Sequence, residues 1–124
     1  AACVWDFGSG GSPLSVFWHA AQELDPTARG EAVLAGAAEG HLATLFDQAG
    51  LRDVTASALE TEVEHPSFDE WWEPFTLGVG PAGAHVAGLD DGGRDALRDR
   101  CRELLPPAPF TITARAWAAR GTAP

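Results

Sequence analysis

The chain has 124 residues, 45% hydrophobic and 21% charged, which is the composition of one globular domain and excludes a disordered segment. Its net charge is −10 and all eight basic residues are arginine, so we expect no nucleic-acid or membrane partner, because phosphate-binding surfaces need clustered lysine and arginine. No apolar run approaches the roughly 18 residues that span a bilayer, and no signal peptide is recognisable, so we expect a soluble, cytoplasmic protein.

The chain opens on an apolar run, Ala1–Phe7, followed by the flexible stretch Gly8–Ser12. The run predicts a strand buried on both faces of a parallel sheet, since its apolar residues are nearly continuous. No cap or turn precedes this strand, so we expect the chain to be the second part of something larger. The two cysteines, Cys3 and Cys101, lack metal-ligand spacing and are expected to be buried thiols in a reducing compartment.

Two helices and a long strand are predicted before residue 66. Ser12-Pro13 offers an N-cap and a first-turn proline for a helix that Asp25-Pro26 ends. Residues 27–40 are predicted to be a loop with at most one short helix. His41–Gly50 has apolar residues at helical spacing and a final glycine. Asp53–Val63 alternates as a strand does, with solvated glutamates on its other face.

The segment from Ser67 to Phe75 is the densest chemical signal in the chain. Ser67 is a predicted N-cap, and Pro74 should end the helix. Aromatic residues occupy its i, i+3, i+4 and i+7 positions: Phe68, Trp71, Trp72 and Phe75. This pattern is typical either of a lid over an apolar or aromatic substrate or of a stripe facing the core. Trp71 and Trp72 point about 100° apart, so one face of a short helix should not bury both completely. Trp18 on the first helix is a further candidate for the same pocket.

The last third of the chain predicts a loop, a helix and a strand. Thr76–Gly88 is rich in glycine and proline and is expected to be a loop, with Gly78–Gly83 as a mobile flap. Asp90 or Asp91 should cap the next helix, which has a buried leucine stripe and an arginine-rich, solvated face with i,i+4 ion pairs. Phe110–Ala119 alternates as the last strand, which makes the chain α/β.

Few side chains stand where catalysis would need them. Asp6 lies at the carboxyl end of the first strand, where open parallel sheets bind ligands. The four histidines have no ligand spacing, so no metal site is predicted; His19 and His85 could serve as pocket bases or simply be solvated. Ser9 lies in Gly-Ser-Gly after a strand but does not meet the full nucleophile-elbow pattern. No catalytic residue is therefore assigned.

Five segments, in this order, resemble the C-terminal half of a class I S-adenosylmethionine-dependent methyltransferase of the ubiquinone/menaquinone-biosynthesis-like type common in bacteria. They are Val4–Phe7, Phe17-Trp18 with Leu24-Asp25-Pro26, Leu42–Leu51 leading into Val54, Ser67–Trp72, and Ala114–Ala118. The resemblance implies the C-terminal sub-sheet of a Rossmann-like fold with covering helices. Its strand order would be 5-7-6 with the last strand antiparallel. Ala1–Phe7, Asp53–Val63 and Phe110–Ala119 would be strands 5, 6 and 7.

The resemblance also implies a function. Residues 1–124 would be a single domain that lacks the family's cofactor-binding half, because its Gly-rich loop after strand 1 and acidic residue after strand 2 have no counterpart here. S-adenosylmethionine would bind the full-length protein, and this chain alone should bind no cofactor and be inactive. It would supply the substrate-side wall for a small apolar or aromatic methyl acceptor. The residues placed there are Trp5, Asp6, Phe7, Trp18, Trp71, Trp72 and Phe75. In the family the methyl group moves by in-line displacement, driven largely by positioning, and a general base is optional.

Two other functions stay open. The chain could be a stand-alone small-ligand binding module with a pocket at its aromatic helix. It could also be an interaction domain that forms a homodimer through the edge of the Ala1–Phe7 strand, since an unpaired strand edge invites pairing.

Overall fold

The computed structural model describes all 124 residues, Ala1 to Pro124. The chain is α/β, with one three-stranded sheet and five α-helices. In chain order the elements are β1 (Ala2–Trp5), α1 (Ser15–Leu24), α2 (His41–Gln48), β2 (Arg52–His65), α3 (Phe68–Trp72), α4 (Gly80–Ala87), α5 (Asp91–Leu104) and β3 (Phe110–Thr122). A 3₁₀ helix, Glu73–Leu77, directly follows α3. None of the five α-helices combines the length and the apolar character that a membrane span requires.

The sheet has the order β1-β3-β2, so the last strand of the chain lies in the middle. β1 pairs antiparallel with β3, from Ala2 opposite Ala119 to Trp5 opposite Ala116. The predicted alternation of the last strand is confirmed at its start, where Phe110 is buried and Thr111 exposed. Near its end Ala119 is buried instead of Ala118, so the alternation changes phase.

The expectation that the first strand is buried on both faces is wrong. Cys3 is exposed and Trp5 is 39% exposed. β1 is an edge strand with one neighbour, and residues that alternate along it face solvent on one side. Cys3 also corrects the prediction of two buried thiols, whereas Cys101 is fully buried as expected.

The first two helices form where the periodicity predicts them. α1 begins at Ser15 and has no side-chain cap, so Ser12 is not its N-cap. Asp25 is the C-cap of α1, as expected. Residues 27–40 contain no helix. α2 ends before Gly50, whose φ of 77° is the left-handed conformation that favours glycine after a helix.

Both predicted caps of the later helices are confirmed. The Ser67 Oγ accepts a hydrogen bond from the Glu70 amide at 3.2 Å, and the Asp90 Oδ1 accepts one from the Gly93 amide at 2.7 Å. These bonds satisfy backbone donors of the first helical turn.

The predicted loop at Thr76–Gly88 is wrong, because most of it forms α4. Pro81 lies in the first turn of α4, where proline is well tolerated. Ala82 and Val86 are almost fully buried, so α4 packs into the core.

The arginines of α5 do not form the predicted i,i+4 pairs. Arg98 and Arg102 instead reach Asp69 of α3, at 2.7 and 3.5 Å. Arg100 lies 2.6 Å from Glu23 of α1. The charged face of α5 therefore connects to neighbouring helices.

The chain divides into two compact units. Unit 1 comprises residues 1–13, 31–62 and 113–124, and unit 2 comprises residues 14–30 and 63–112. In unit 1 the buried apolar side chains are mostly small: Ala37, Leu42, Ala114, Ala116 and Ala119. Unit 2 has an aromatic core, which includes Phe17, Trp18, Trp71, Trp72, Phe75 and Phe110.

Candidate functional site

The most organised polar site of unit 1 surrounds Asp6, directly after β1. Asp6 is fully buried, at 0% exposure. Its Oδ1 accepts a hydrogen bond from the Ser9 amide at 2.9 Å, and its Oδ2 accepts one from the Ser9 hydroxyl. Arg115 donates to the same Oδ2 from Nε at 3.0 Å and from Nη2 at 2.7 Å. A carboxylate tolerates such burial only when it is paired and hydrogen-bonded, as it is here.

These hydrogen bonds control the charge of Asp6. Burial raises the pKa of the Asp6 carboxyl, but the hydroxyl and amide of Ser9 and then the Arg115 guanidinium outweigh burial and lower this pKa to about 2. Trp117 adds a smaller lowering of the pKa, although its buried Nε1 makes no hydrogen bond of ordinary geometry. Asp6 is therefore a carboxylate at physiological pH and a weak base, unsuited to accept a proton in catalysis.

Asp6 also fixes the glycine-rich segment that follows it. The Ser12 amide donates to the Asp6 carbonyl at 2.9 Å, and the Arg115 amide donates to the Gly11 carbonyl at 2.7 Å. A Cβ atom on Gly11 would lie 2.6 Å from Asp6 Oδ2, so this close approach requires glycine. The segment is thus closed onto Asp6 through Ser12 and attached to β3 through Gly11.

Arg115 is the functional-looking residue that sequence reasoning missed. It was visible only as one polar position of an alternating strand. Its side chain is 36% exposed, and its guanidinium carbon lies 5.1 Å from the centre of the Trp117 ring. The hydrogen bonds that Arg115 donates to Asp6 raise the pKa of Arg115, so the pair is fully charged. The available signal in the sequence is an arginine flanked by two alanines in the last strand, Ala114 and Ala116.

The other two predicted residues of this segment lie beside Asp6 in the chain but do not join its network. Trp5 is partly exposed on the edge strand, and Phe7 is half-buried. Both could contact a ligand at the carboxyl end of β1. Ser9 is bound to Asp6 and Arg115 and lacks a neighbouring histidine, so it is not an activated nucleophile.

The predicted aromatic residues of unit 2 come together, but as a packed core. Trp71 is 4% and Trp72 is 5% exposed, so the expectation that one of them stays exposed is wrong. Phe17 of α1, which the sequence did not single out, stacks on Phe75 with 4.6 Å between ring centres and lies 6.5 Å from Trp72. Trp71 packs at 5.0 Å against Phe75 on its own side. Each tryptophan is covered because aromatic partners lie on more than one face of the helix.

Trp18 belongs to the same core. Its indole lies 5.1 Å from the Phe17 ring, edge to face, and 5.8 Å from the His85 ring. Aromatic pairs at these separations add to the stability of a core beyond the area they bury. Packing therefore accounts for all four predicted aromatic residues of unit 2.

A groove of about 680 Å³ lies over the sheet of unit 1, on the opposite end of β1 from Asp6. It is lined mostly by small side chains, among them Ala2, Cys3, Ala56 and Ala118. None of the predicted site residues lines it. No group of three or more histidine, cysteine, aspartate or glutamate side chains is placed to hold a metal ion.

Asp6 and the amide of Gly8 are not available to bind S-adenosylmethionine in this structure. A ribose-binding carboxylate needs an oxygen open to the ligand, but Asp6 is fully buried and its oxygens are taken by Ser9 and Arg115. The amide of Gly8 donates to the Ala37 carbonyl, so the glycine-rich segment does not present it to a ligand either.

Comparison of the chain with protein-family models, with curated proteins and with solved structures finds no match.

Proposed function

We propose that this chain is the acceptor-side part of a class I S-adenosylmethionine-dependent methyltransferase, acting on a small apolar or aromatic acceptor. The observation that carries the proposal is the sheet. β3 lies between β1 and β2 and runs antiparallel to β1. A last strand inserted in this way is what the assignment of β1, β3 and β2 to strands 5, 7 and 6 of a Rossmann-like sheet requires. The Rossmann-like assignment is part of the proposal.

Within this proposal the residues after β1 take separate roles. Trp5 and Phe7 contact the acceptor, because both retain exposed surface at the carboxyl end of the strand. Asp6 is a positioning residue that holds the following segment against Arg115. Trp18, Trp71, Trp72 and Phe75 form part of the core of unit 2 and are given no contact with the acceptor in this proposal.

The proposal assigns no cofactor-binding residue and no chemical step to this chain. S-adenosylmethionine would be held by another part of the complete enzyme, since Asp6 and the glycine-rich segment are occupied by their own hydrogen bonds.

The test is direct labelling of the natural protein. An antibody raised against these 124 residues would isolate the protein from the cells that make it, and radiolabelled S-adenosylmethionine would be cross-linked to it by ultraviolet light. We expect a labelled polypeptide of about twice this length, within the range of one domain, and no label on the isolated 124-residue chain. The labelling is done without unlabelled S-adenosylmethionine, which would compete for the site. A natural polypeptide that takes up no label under these conditions contradicts the proposal.

A second candidate function is supported by one observation. β1 has a neighbour on one side only, and Cys3 and Trp5 are exposed. We propose that the isolated chain forms a homodimer through this edge, because an unpaired apolar strand readily pairs with another copy.

A further inference from the structure

A small apolar cavity in unit 2 is not used by either proposed function. It has a volume of about 250 Å³ and lies where the ends of α1 and α4 meet the start of α5. Its walls are formed mainly by Ala21, Leu24, Leu89 and Leu97. Two polar side chains, Asp25 and His85, also line it. An apolar cavity with a few convergent polar groups is the usual form of a small-molecule site.

Asp25 supplies a negative charge at this cavity. Its Oδ1 accepts hydrogen bonds from the amide of Thr27 at 2.9 Å and from the Thr27 hydroxyl at 2.6 Å. These two bonds from Thr27, and then the neighbouring positive charge that His85 can carry, lower the pKa of Asp25. Both bonds from Thr27 use the same oxygen, so Oδ2 can accept a hydrogen bond from a ligand.

The helix ends around the cavity add to this negative potential. α1 ends at Leu24 and α4 ends at Ala87, so two C-terminal ends with partial negative charge lie next to the cavity. The positive N-terminal end of α5 also lies there, but Asp90 caps it and Asp91 lies in its first turn. The electrostatics therefore favour a cation.

The size of the cavity limits the ligand to about one ring. An engineered cavity of about 150 Å³ in another protein holds benzene, so 250 Å³ accommodates one ring with a short side chain. Drug-sized ligands need cavities of roughly 300 to 1,000 Å³, which excludes larger molecules.

We propose that this cavity binds a small organic cation with a single ring, its ring among the leucine side chains and its ammonium group on Asp25. This site is independent of methyl transfer and of dimerisation. The site combines a carboxylate with an apolar pocket. A protonated arylalkyl amine matches it, because its ammonium group pairs with the carboxylate and its ring fills the apolar pocket.

The experiment uses ¹⁵N-labelled chain titrated with 2-phenylethylammonium chloride and, separately, with the neutral analogue 2-phenylethanol. Asp25 is exposed, so we expect the ammonium ligand to shift the amide signals of the cavity residues and to bind roughly fivefold more tightly than the alcohol, the upper value for an exposed ion pair. Both ligands are compared in the same buffer, and salt near 0.15 M screens weak attraction to the acidic surface.

Two pairs of variants make the test specific. Asp25→Asn keeps the oxygen that accepts from Thr27 and should remove the preference for the ammonium ligand, whereas Asp47→Asn makes the same charge change on an exposed side chain of unit 1 and should leave it intact. Ala96→Phe should fill the cavity and prevent both ligands from binding, whereas Ala84→Phe, outside the cavity, should not. Equal affinity for the two ligands, shifts away from the cavity, or equal losses in both aspartate variants overturn the proposal.

Discussion

Asp6 and Arg115 are separated by 109 positions in the chain and joined by two hydrogen bonds between their side chains. Removing a fully buried carboxylate of this kind lowers the stability of the fold mainly because its hydrogen-bond partners lose their acceptor. Arg115 would keep its charge without a partner, and the Ser9 amide would lose its acceptor. Breaking one member of such a pair is costly, because the remaining charge stays partly buried.

The first prediction concerns the Asp6→Asn variant. It keeps the shape of the side chain but removes the charge, so we expect the free energy of unfolding to fall by about 2 to 3 kcal/mol. Urea unfolding followed by circular dichroism measures this change. Asp47→Asn, on an exposed position of the same unit, is the matched control and should change stability by less than about 0.5 kcal/mol. If the two substitutions lower the free energy of unfolding equally, the buried pair of Asp6 and Arg115 contributes no more to stability than an exposed aspartate does.

The second prediction is a pH dependence. The pKa of Asp6 falls from 3.8 to about 2 on folding, so the folded state favours the carboxylate. Its stabilisation is complete above the unfolded pKa and is lost as the pH falls from about 4 toward 2. A shift of this size corresponds to about 2 kcal/mol. Urea unfolding of the natural chain and of Asp6→Asn across this pH range should give curves that converge at the acid end. Parallel curves would contradict the assigned pKa.

Sequence reasoning identified Asp6 but not its partner. The position of Asp6 after a strand is a local signal, whereas the choice of Arg115 depends on the register of β1 against β3, which no local pattern encodes. The same limit explains Trp71 and Trp72. Their divergent directions follow from helix geometry, but Trp72 is covered by Phe17 of α1, a contact that no local pattern predicts.

At the scale of the elements, α4 packs unusually closely against the turn before it. A Cβ atom on Gly83 would lie 2.8 Å from the carbonyl carbon of Gly78, and this neighbour is backbone that cannot rotate away. Gly92 of α5 has no such neighbour, since its nearest atom is an Asp90 oxygen at 3.8 Å.

The third prediction uses these two glycines as a pair. Gly83→Ala should destabilise the chain by about 1 to 3 kcal/mol, because the gain in helix propensity does not offset the clash with Gly78. Gly92→Ala should stabilise it by up to about 1 kcal/mol for the opposite reason. Thermal unfolding of both variants shows whether each substitution raises or lowers the stability of the chain. A stabilising Gly83→Ala would mean that α4 can move away from its preceding turn.

The elements that the sequence predicts well are those with local signals. Ser67 and Asp90 cap their helices through hydrogen bonds from amides three positions ahead. Both partners of each bond lie within one short sequence pattern, so the pattern alone predicts the contact. α4 lacks such a signal, because its glycine and proline content is typical of a loop and its helical state depends on packing around Val86.

At the scale of the whole molecule, the α/β class follows from the order of the predicted elements. The position of the last strand in the middle of the sheet does not, because strand order is set by contacts between distant segments. Only the resemblance to a methyltransferase family predicted an inserted, antiparallel last strand. The resemblance itself stays a proposal.

The fourth prediction concerns the homodimer. We expect sedimentation under reducing conditions to show concentration-dependent dimers of the natural chain, and Cys3→Lys to abolish them, because a charge on an edge strand opposes pairing. Cys3 is exposed, so the fold should be unaffected. Ser57→Lys, an equal charge change on β2, is the control and should still dimerise. A natural chain that is monomeric at all concentrations, or a dimeric Cys3→Lys variant, would exclude the β1 edge as the interface.

The placement of four of the five tryptophans has an optical consequence. The chain has no tyrosine, so its ultraviolet fluorescence comes from tryptophan. Trp18, Trp71 and Trp72 are enclosed in unit 2, and their emission should lie to the blue and resist collisional quenching by iodide. Trp5, partly exposed in unit 1, should emit to the red and be quenched first. A single sample without an added dye therefore carries separate spectral reporters for the unfolding of each unit.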